Sequence, residues 1–222
     1  MNLTAELFPP GWYLVFNVIY LIAFGYALKT APWNQLHGDA GLQHRLGFSL
    51  VLVVIIWSLR AGVDQGLGIH FFMVTALHLV FGWRLALLVV TLGQMGMVLV
   101  GQEAWQGVGL NAVTSGLAPI LTTWLVWRWQ DRNELYNPFV FIFLVAFGGA
   151  ILSVLVSGLV MTAVFTGSGV YSFGEVKDSF WLFVPLIALP EGVLNGMLIA
   201  GLIVFRPEWV ALFDEDKYYP GR

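Results

Sequence analysis

Long apolar runs, separated by short polar segments, follow one another along almost the whole chain. A helix needs about 20 apolar residues to cross a bilayer, with some latitude for tilt. Seven runs are candidate spans, some of them shorter than this length: residues 11–28, 46–60, 69–83, 84–101, 111–128, 138–165 and 180–205. The chain is therefore predicted to be all-α, a polytopic helical bundle with seven transmembrane helices in a single domain over residues 1–205.

Two of these runs deviate from a simple span. The third run is short, and Gly82 separates it from the fourth, so the two are predicted to form a tight helical hairpin. The sixth run, from Pro138 to Phe165, is long enough to tilt or to bend around Gly148 and Gly149.

The basic residues predict the direction of insertion. Cytoplasmic segments of membrane proteins carry an excess of Lys and Arg. If the N-terminus faces out, the outer segments contain only Arg60 and Lys177. The inner segments then carry eight basic residues: Lys29, Arg45, Arg84, Arg128, Arg132, Arg206, Lys217 and Arg222. The predicted orientation is N-terminus out and C-terminus in.

Composition supports a membrane protein and excludes several functions. Hydrophobic residues make up 59% of the chain and charged residues 10%, against roughly 25% charged in soluble domains. The net charge of −3 and the lack of a basic tract argue against nucleic acid as a partner. The absence of cysteine excludes disulfides and thiolate metal sites. The first ten residues contain no Lys or Arg, so no signal peptide is predicted.

Two histidines, His70 and His78, interrupt the apolar third run. On one helix they would lie about 12 Å apart along the axis and about 80° apart around it, so both could face the bundle interior. His70 would sit at the outer end, on the side of the N-terminal segment. The Pro9–Pro10 pair would let that segment fold back over the bundle. Either a ligand-binding role or a hydrogen-bonded core role is open for each histidine.

Glu191 is the one acidic residue deep in the last run, where a carboxylate is expensive and usually marks a pathway or a paired site. Its candidate partners are Asn195 one turn on, Asn111, or a histidine of the third run. Two interpretations are open: a protonated side chain that locks the bundle through hydrogen bonds, or a direct role in handling substrate or protons. With His78, these residues form a possible accessory polar site.

Pairs of small residues four apart occur in the later runs, where they would let helices approach closely. Examples are Ala146 with Ala150, Ser153 with Ser157, and Gly192 with Gly196. They predict either packing within the bundle or a docking face for another subunit.

The last segment, residues 206–222, is predicted to be a cytoplasmic tail. Trp209, Leu212 and Phe213 stand at helical spacing and precede an acidic cluster. They predict a short interfacial helix with a solvated end.

Several short motifs occur in a recognisable order. The chain starts Met1-Asn2 and continues with Leu7-Phe8-Pro9-Pro10-Gly11-Trp12; Ile69-His70 follows, with Gly82 twelve residues on; then come Gly101-Gln102, Gly109-Leu110-Asn111 and Pro190-Glu191-Gly192-Val193-Leu194-Asn195-Gly196. In this order of motifs the chain resembles the CbiM/NikM family, the membrane substrate-binding (S) component of cobalt and nickel energy-coupling-factor (ECF) transporters.

The resemblance implies a set of metal ligands. In the family the metal is held by the N-terminal amine, the backbone nitrogen and imidazole of the second residue, and the histidine of the third span. This near-planar set of four nitrogens suits Ni(II) or Co(II). The matching positions here are Met1, Asn2 and His70. Because Asn2 has no imidazole, one ligand of the family set is missing, and His78 is the candidate to replace it.

The resemblance also implies a function. The chain would be a permease subunit that captures a Ni or Co ion as substrate at a bacterial inner membrane, with no firmly predicted cofactor. It contains no GxxxxGK[ST] sequence, so ATP hydrolysis would come from separate ATPase subunits acting through a transmembrane coupling subunit. It is not predicted to be an enzyme. It lacks HExxH, and Ser115 would depend on a histidine of the third run as base because none follows residue 78.

An alternative follows from Asn2. Loss of the second-position histidine favours reuse of the same fold for a non-metal small-molecule substrate, or as an assembly or accessory subunit of another membrane complex.

Overall fold

The chain folds as a bundle of long helices with one small β-sheet. The computed structural model describes residues 2–3, 7–59, 61–64 and 67–219. Within these ranges, six helical stretches are long and apolar enough to cross a membrane: Pro10–Thr30, Ala40–Ser58, Val74–Leu99, Trp105–Arg132, Pro138–Ser168 and Phe173–Phe205. The predicted class, an all-α multi-pass membrane protein, is confirmed.

Elements are numbered in chain order. The helices are α1 (Pro10–Thr30), α2 (Trp33–Gly38), α3 (Ala40–Ser58), α4 (Val74–Leu99), α5 (Val108–Ala112), α6 (Ala118–Arg132), α7 (Pro138–Val140), α8 (Gly149–Ser168), α9 (Phe173–Phe205) and α10 (Glu215–Tyr218). The strands are β1 (Asn2–Leu3), β2 (Ala61–Asp64) and β3 (Leu67–Ile69). Short 3-10 turns occupy Trp105–Gly107 and Pro207–Trp209, and π-helical turns occupy Val113–Leu117 and Phe141–Gly148.

Helix α4 contains most of the third and fourth predicted spans in one element with a break. At Gly82 the backbone has φ +73° and ψ 164°, which is not helical. A positive φ favours glycine because no Cβ clashes there. The break lies at the glycine that the sequence predicts as the boundary. We name the parts α4a (residues 74–81) and α4b (residues 83–99). The count of seven spans and the orientation in the membrane stay predictions.

The start of the third predicted span is not helical. The sequence predicts a helix from residue 69, whereas Leu67–Ile69 form β3 and α4 begins only at Val74. Strand β3 pairs on both sides, with β1 and with β2, in the order β1-β3-β2. These pairings hold the backbone extended, although its residues are as apolar as those of a helix.

Local sequence explains several helix ends. Pro10 occupies the first turn of α1, where its missing N–H is not needed. Asp39 caps α3 by accepting from Leu42 N at 3.0 Å. Ser172 and Glu175 form a capping box at the start of α9. The predicted bend of the sixth span coincides with the π-helical turn at Phe141–Gly148, directly before α8.

The bundle is built around α4, the most buried of the six long stretches, whereas α1 and α3 are the least buried. The small residues of the π-helical turn and α8 pack inside the bundle: Ala146, Ala150, Ser153 and Ser157 are all buried. Gly192 and Gly196 of α9 face Phe147, and an added Cβ at Gly192 would lie 2.8 Å from Ile151. These motifs therefore serve packing within the chain.

The segment after α9 folds back onto the bundle. The N–H groups of Ala211 and Leu212 donate to the carbonyls of Val80 and Leu79, each at 3.2 Å. Those carbonyls are at the end of α4a, where no further helical N–H can reach them. Phe213 and Tyr218 are buried and stack at 4.2 Å between ring centroids. The predicted helix through Trp209, Leu212 and Phe213 is wrong. Residues 210–213 form a turn in which Phe213 N donates to Val210 O at 2.9 Å, and the N–H groups of residues 211–212 bond to α4a instead of to a helix of their own.

We predict that this docked tail is released only at high pH. Tyr218 donates to Gln130 at 2.9 Å, and burial raises the pKa of Tyr218 to about 12. The hydrogen bond and ion pair with Asp131 raise the pKa of Lys217. Both groups bind their protons more tightly when docked, so their contributions are complete below pH ~10 and are lost as pH rises through the raised pKa values.

Limited proteolysis of residues 206–219 between pH 7 and pH 12 checks this prediction. We expect slow cleavage up to pH ~10 and a sharp increase above it. Tyr218→Phe leaves buried Gln130 without this donor, a cost of about 1 kcal/mol, and is expected to speed cleavage at neutral pH. Cleavage that does not depend on pH would contradict the assignment.

Candidate functional site

The N-terminal strand lies beside the segment that leads to His70. Strands β1 and β3 are antiparallel, with Asn2 opposite Gly68 and Leu3 opposite Leu67. Gly68 is two residues before His70, so the backbone of Asn2 runs next to the approach to this histidine. Met1, a predicted ligand, lies outside the described residues.

Asn111 fixes this strand to the bundle. Its side-chain oxygen accepts from Leu3 N at 2.7 Å, and its amide nitrogen donates to Leu3 O at 3.1 Å. An asparagine side chain thus pairs with both polar backbone groups of one residue, as a neighbouring strand would. The same nitrogen also lies 3.4 Å from a carboxylate oxygen of Glu103. Asn111 is buried in α5, so the strand is tied to a rigid element.

Gly109 brings α5 to α1. An added Cβ at Gly109 would lie 2.6 Å from the Cα of Asn17, closer than real Cβ contacts. The side chain of Asn17 accepts from Gly109 N at 3.0 Å and donates to Gln106 O at 3.0 Å. The two polar contacts anchor the start of α5. In Gly109-Leu110-Asn111, the glycine therefore positions the helix from which the asparagine reaches β1.

His70 lies in a non-helical segment directly before α4. It is 3% exposed, and its ring is 5.5 Å from that of Trp57 and 6.0 Å from that of Phe72. Its Nδ1 is 2.9 Å from the carbonyl of Phe71. In the tautomer that donates from Nδ1, Nε2 carries the lone pair with which an imidazole binds a metal.

Glu191 and Asn195 hold the start of α4. Glu191 accepts from Phe72 N at 2.9 Å and from Met73 N at 2.6 Å. Asn195 accepts from Ala76 N at 2.8 Å and donates to Glu191 at 2.9 Å. Met73 has a φ of +55°, which non-glycine residues seldom adopt. These bonds satisfy N–H groups that open the helix inside the bundle and hold the strained residue in place.

His78 lies apart from these groups. It is 1% exposed, and neither ring nitrogen has a hydrogen-bond partner among the described residues. It follows Thr75 on α4a by three residues. Thr75 bonds Thr123 at 2.9 Å, which bonds Ser153 at 3.2 Å. Because His70 precedes the helix, the predicted 12 Å and 80° relation between the two histidines is wrong.

The structure therefore divides the predicted polar residues into three places. Glu191 and Asn195 pair with each other, as their four-residue spacing suggests, and both contact the segment that follows His70. Asn111 holds β1 instead. His78 belongs to neither group.

Trp57 was missed by the sequence reasoning. It is fully buried, and its ring N–H donates to Phe72 O at 3.2 Å. A tryptophan near the end of a span is typical of an interfacial anchor, so its sequence position gave no signal for this role.

Among the described residues, no group of three or more His, Cys, Asp or Glu could hold a metal ion. An ion beside His70 would therefore need backbone or amine nitrogens as further ligands. The N-terminal strand, whose backbone pairs with Gly68 two residues before this histidine, can supply such nitrogens.

These features define a polytopic membrane protein whose N-terminal strand is tied into the bundle next to a buried histidine. The model of the CbiM family, described as the cobalt uptake substrate-specific transmembrane region, matches residues 2–209. The chain belongs to this family, which confirms the resemblance drawn from its motifs. Members of the family are components of membrane transporters and not enzymes.

Solved structures share the fold. A truncated transition metal transporter superposes with a TM-score of 0.73 at 14% identity, over 92% of this chain and 99% of the other. A transition metal transporter gives a TM-score of 0.71 at 14% identity, over 91% of this chain and 92% of the other. At this identity the likeness concerns the fold alone. No curated protein matches the chain by sequence.

Proposed function

We propose that this chain is the substrate-capture subunit of an uptake system for a divalent transition-metal ion such as Ni(II) or Co(II). It would form one transmembrane domain over residues 1–205 in a bacterial cytoplasmic membrane, with the N-terminus outside and the tail inside. Family membership supports this proposal, as do the transition metal transporters that share its fold.

The proposed ligands are the Met1 amine, the backbone nitrogen of Asn2 and the imidazole of His70. The observation that carries the proposal is the pairing of Asn2 with Gly68, two residues before His70. Imidazole and other nitrogen donors suit Ni(II), Co(II) and Cu(II) better than Mg(II) or Ca(II). With three protein nitrogens, one position of a four-coordinate site is left for water or for a ligand that arrives with the ion.

Transport requires further subunits in this proposal. The sequence contains no GxxxxGK[ST] motif, so a separate ATPase would supply the energy and a transmembrane coupling subunit would transmit it. The captured ion would enter from outside and leave inward when the subunit reorients in the complex.

The ligand set is tested by Ni(II) and Co(II) binding to the purified chain. Mutation of a residue that only supports a metal ligand typically lowers metal affinity about 10- to 100-fold. His70→Ala removes a ligand itself and is therefore expected to weaken binding at least about tenfold. A Gly-Ser extension before Met1 moves the amine and should have a similar effect. Intact-mass measurement verifies that the unextended chain begins at Met1.

His78→Ala is the matched control, because His78 is equally buried and lies eight residues from His70. It should bind both ions like the wild type. If neither His70→Ala nor the extension changes bound Ni, Co, Cu or Zn, metal capture at this site is wrong.

A second candidate function rests on Asn2. Without the second imidazole the fold would serve a non-metal small molecule or act as an accessory subunit of another membrane complex. A wild-type chain that binds none of the four ions, encoded without neighbouring ATPase and coupling-subunit genes, would favour this candidate.

A further inference from the structure

Near His70, a helix N-terminus and a carboxylate would act in opposite ways on a bound cation. Helix α4a begins inside the bundle at Val74, only four residues after His70. The N-terminus of a helix carries the equivalent of about half a positive charge. Left alone, this end would repel a cation held at His70.

Glu191 lies at that helix end. Both of its carboxylate oxygens accept from backbone N–H groups there, those of Phe72 and Met73, and Asn195 donates a third bond. All three bonds are donated to the carboxylate, which is the pattern of an ionised group. A full negative charge is larger than the half positive charge of the helix end that it contacts, so the two together carry a net negative charge.

The proposed ligands provide no such charge. An amine and an imidazole bind a metal as neutral groups, so a dication beside them needs a negative charge from elsewhere. Glu191 is 1% exposed, and a buried charge is screened far less than one in water. Glu103 is a second carboxylate in this region, 3.4 Å from the Asn111 nitrogen that also donates to β1.

Glu191 also fixes the backbone that carries His70. It binds the N–H of Phe72 from one side, while Trp57 binds the carbonyl of Phe72 at 3.2 Å. The two contacts act on the same residue, but only one of them brings a charge. Variants of Glu191 and Trp57 can therefore be compared to separate the effect of the carboxylate charge from the effect of positioning the backbone.

We propose that Glu191 is a positioning residue whose carboxylate reverses the field of the α4a N-terminus and balances the charge of the divalent cation bound beside His70. This proposal rests on the proposed function, since it assumes that the ion binds there. Glu191 would thus increase the affinity for the ion without being one of its ligands.

The test measures Ni(II) affinity of the full-length purified chain by calorimetry in four forms: wild type, Glu191→Gln, Trp57→Phe and the double variant Glu191→Gln/Asn195→Asp. Glu191→Gln removes the charge at constant size and is expected to weaken binding about tenfold or more. Trp57→Phe loses one hydrogen bond to the same residue but no charge, so its expected loss of about fivefold measures the effect of positioning alone. The double variant returns a carboxylate one turn away and should recover most of the affinity.

Three results overturn the proposal: unchanged affinity in Glu191→Gln, equal losses in Glu191→Gln and Trp57→Phe, or a double variant as weak as Glu191→Gln. Thermal unfolding without metal checks that each variant folds. If Glu191→Gln does not fold, Glu191→Asp takes its place, since it keeps the charge on a shorter side chain. Affinity within about threefold of the wild type then supports the proposal, and a tenfold loss overturns it.

Failure of the proposed function gives a different result. In that case the wild-type chain itself binds no Ni(II), Co(II), Cu(II) or Zn(II), so the affinities of the variants cannot be compared with it. A wild type that binds an ion through His70, with Glu191→Gln unchanged, rejects only the role of Glu191.

Discussion

Replacing Asn111 with leucine is expected to abolish tight Ni(II) and Co(II) binding while leaving the bundle folded. The amide of Asn111 makes both described side-chain hydrogen bonds to Leu3. A leucine of similar size cannot make them, and keeping the strand in place would leave two buried backbone groups unpaired at about 1–3 kcal/mol each. We therefore expect β1 to detach.

The effect on binding is large because detachment displaces two of the three proposed ligands, the Met1 amine and the Asn2 nitrogen. We expect a loss of about 100-fold or more, larger than for His70→Ala, as measured by calorimetry with either ion. The metal-free chain should still unfold cooperatively, with a Tm lower by several degrees, because detachment exposes the buried side chain of Leu3 at about 1.5–3 kcal/mol.

Thr114→Val is the control for Asn111→Leu. Thr114 is buried three residues further along the chain, and among the described residues its hydroxyl bonds only local carbonyls, the nearer at 3.0 Å from Leu110 O. Valine has the same shape, so binding should be unchanged. Equal affinities in wild type and Asn111→Leu would show that the strand is not needed for the site.

Replacing Gly109 with alanine is expected to destabilise the whole bundle. The new Cβ would lie 2.6 Å from the Cα of Asn17, a backbone atom of α1 that no side-chain rotation can move away. The two helices must separate, which also stretches the bond from Gly109 N to Asn17. Overpacking usually costs about 1–3 kcal/mol of folding stability, occasionally more. Because this clash is with a backbone atom, we expect a cost of about 3 kcal/mol or more.

Thermal unfolding in detergent checks this prediction. We expect Tm to fall by about 10 °C, at roughly 2–4 °C per kcal/mol for a chain of this size. Gly25→Ala is the matched control, because Gly25 lies on α1 and an added Cβ would meet nothing within 4 Å. Its Tm should stay the same or rise slightly, as expected for Gly→Ala in an open helix position. Equal Tm values for the two variants would contradict the close approach of α1 and α5.

The sequence predicted well the features that depend on neighbouring residues. The break in α4 was predicted at Gly82, since a glycine between two apolar runs permits the positive φ found there. The contact between Glu191 and Asn195 was also predicted, because residues four apart share a helix face. Both inferences need only local geometry.

Contacts across the bundle were not predictable in the same way. Asn111 reaches Leu3 across 108 residues, and Glu191 reaches Phe72 across 119. The sequence offered Asn111 and a histidine as partners for Glu191, while the structure pairs the carboxylate with backbone N–H groups. Backbone donors are the same at every residue, so no pattern of side chains can reveal which of them is left open.

The segment before α4 shows why apolar length alone misleads. Residues 69–73 are as apolar as a span, and the criterion of bilayer length cannot distinguish a helix from a folded segment buried in protein. The docked tail is a similar case. Its residues stand at helical spacing, but the open carbonyls of Leu79 and Val80 bind residues 211–212 instead.

By itself the sequence determined that the chain lies in a membrane, how its apolar runs are divided and which family it belongs to, because hydrophobicity and motif order are properties of the chain itself. Only the tertiary structure decided that the N-terminal strand lies beside His70, that Asn111 holds it there and that Glu191 faces the start of α4. Each of these depends on distances between residues far apart in the chain, and packing of the whole bundle sets those distances.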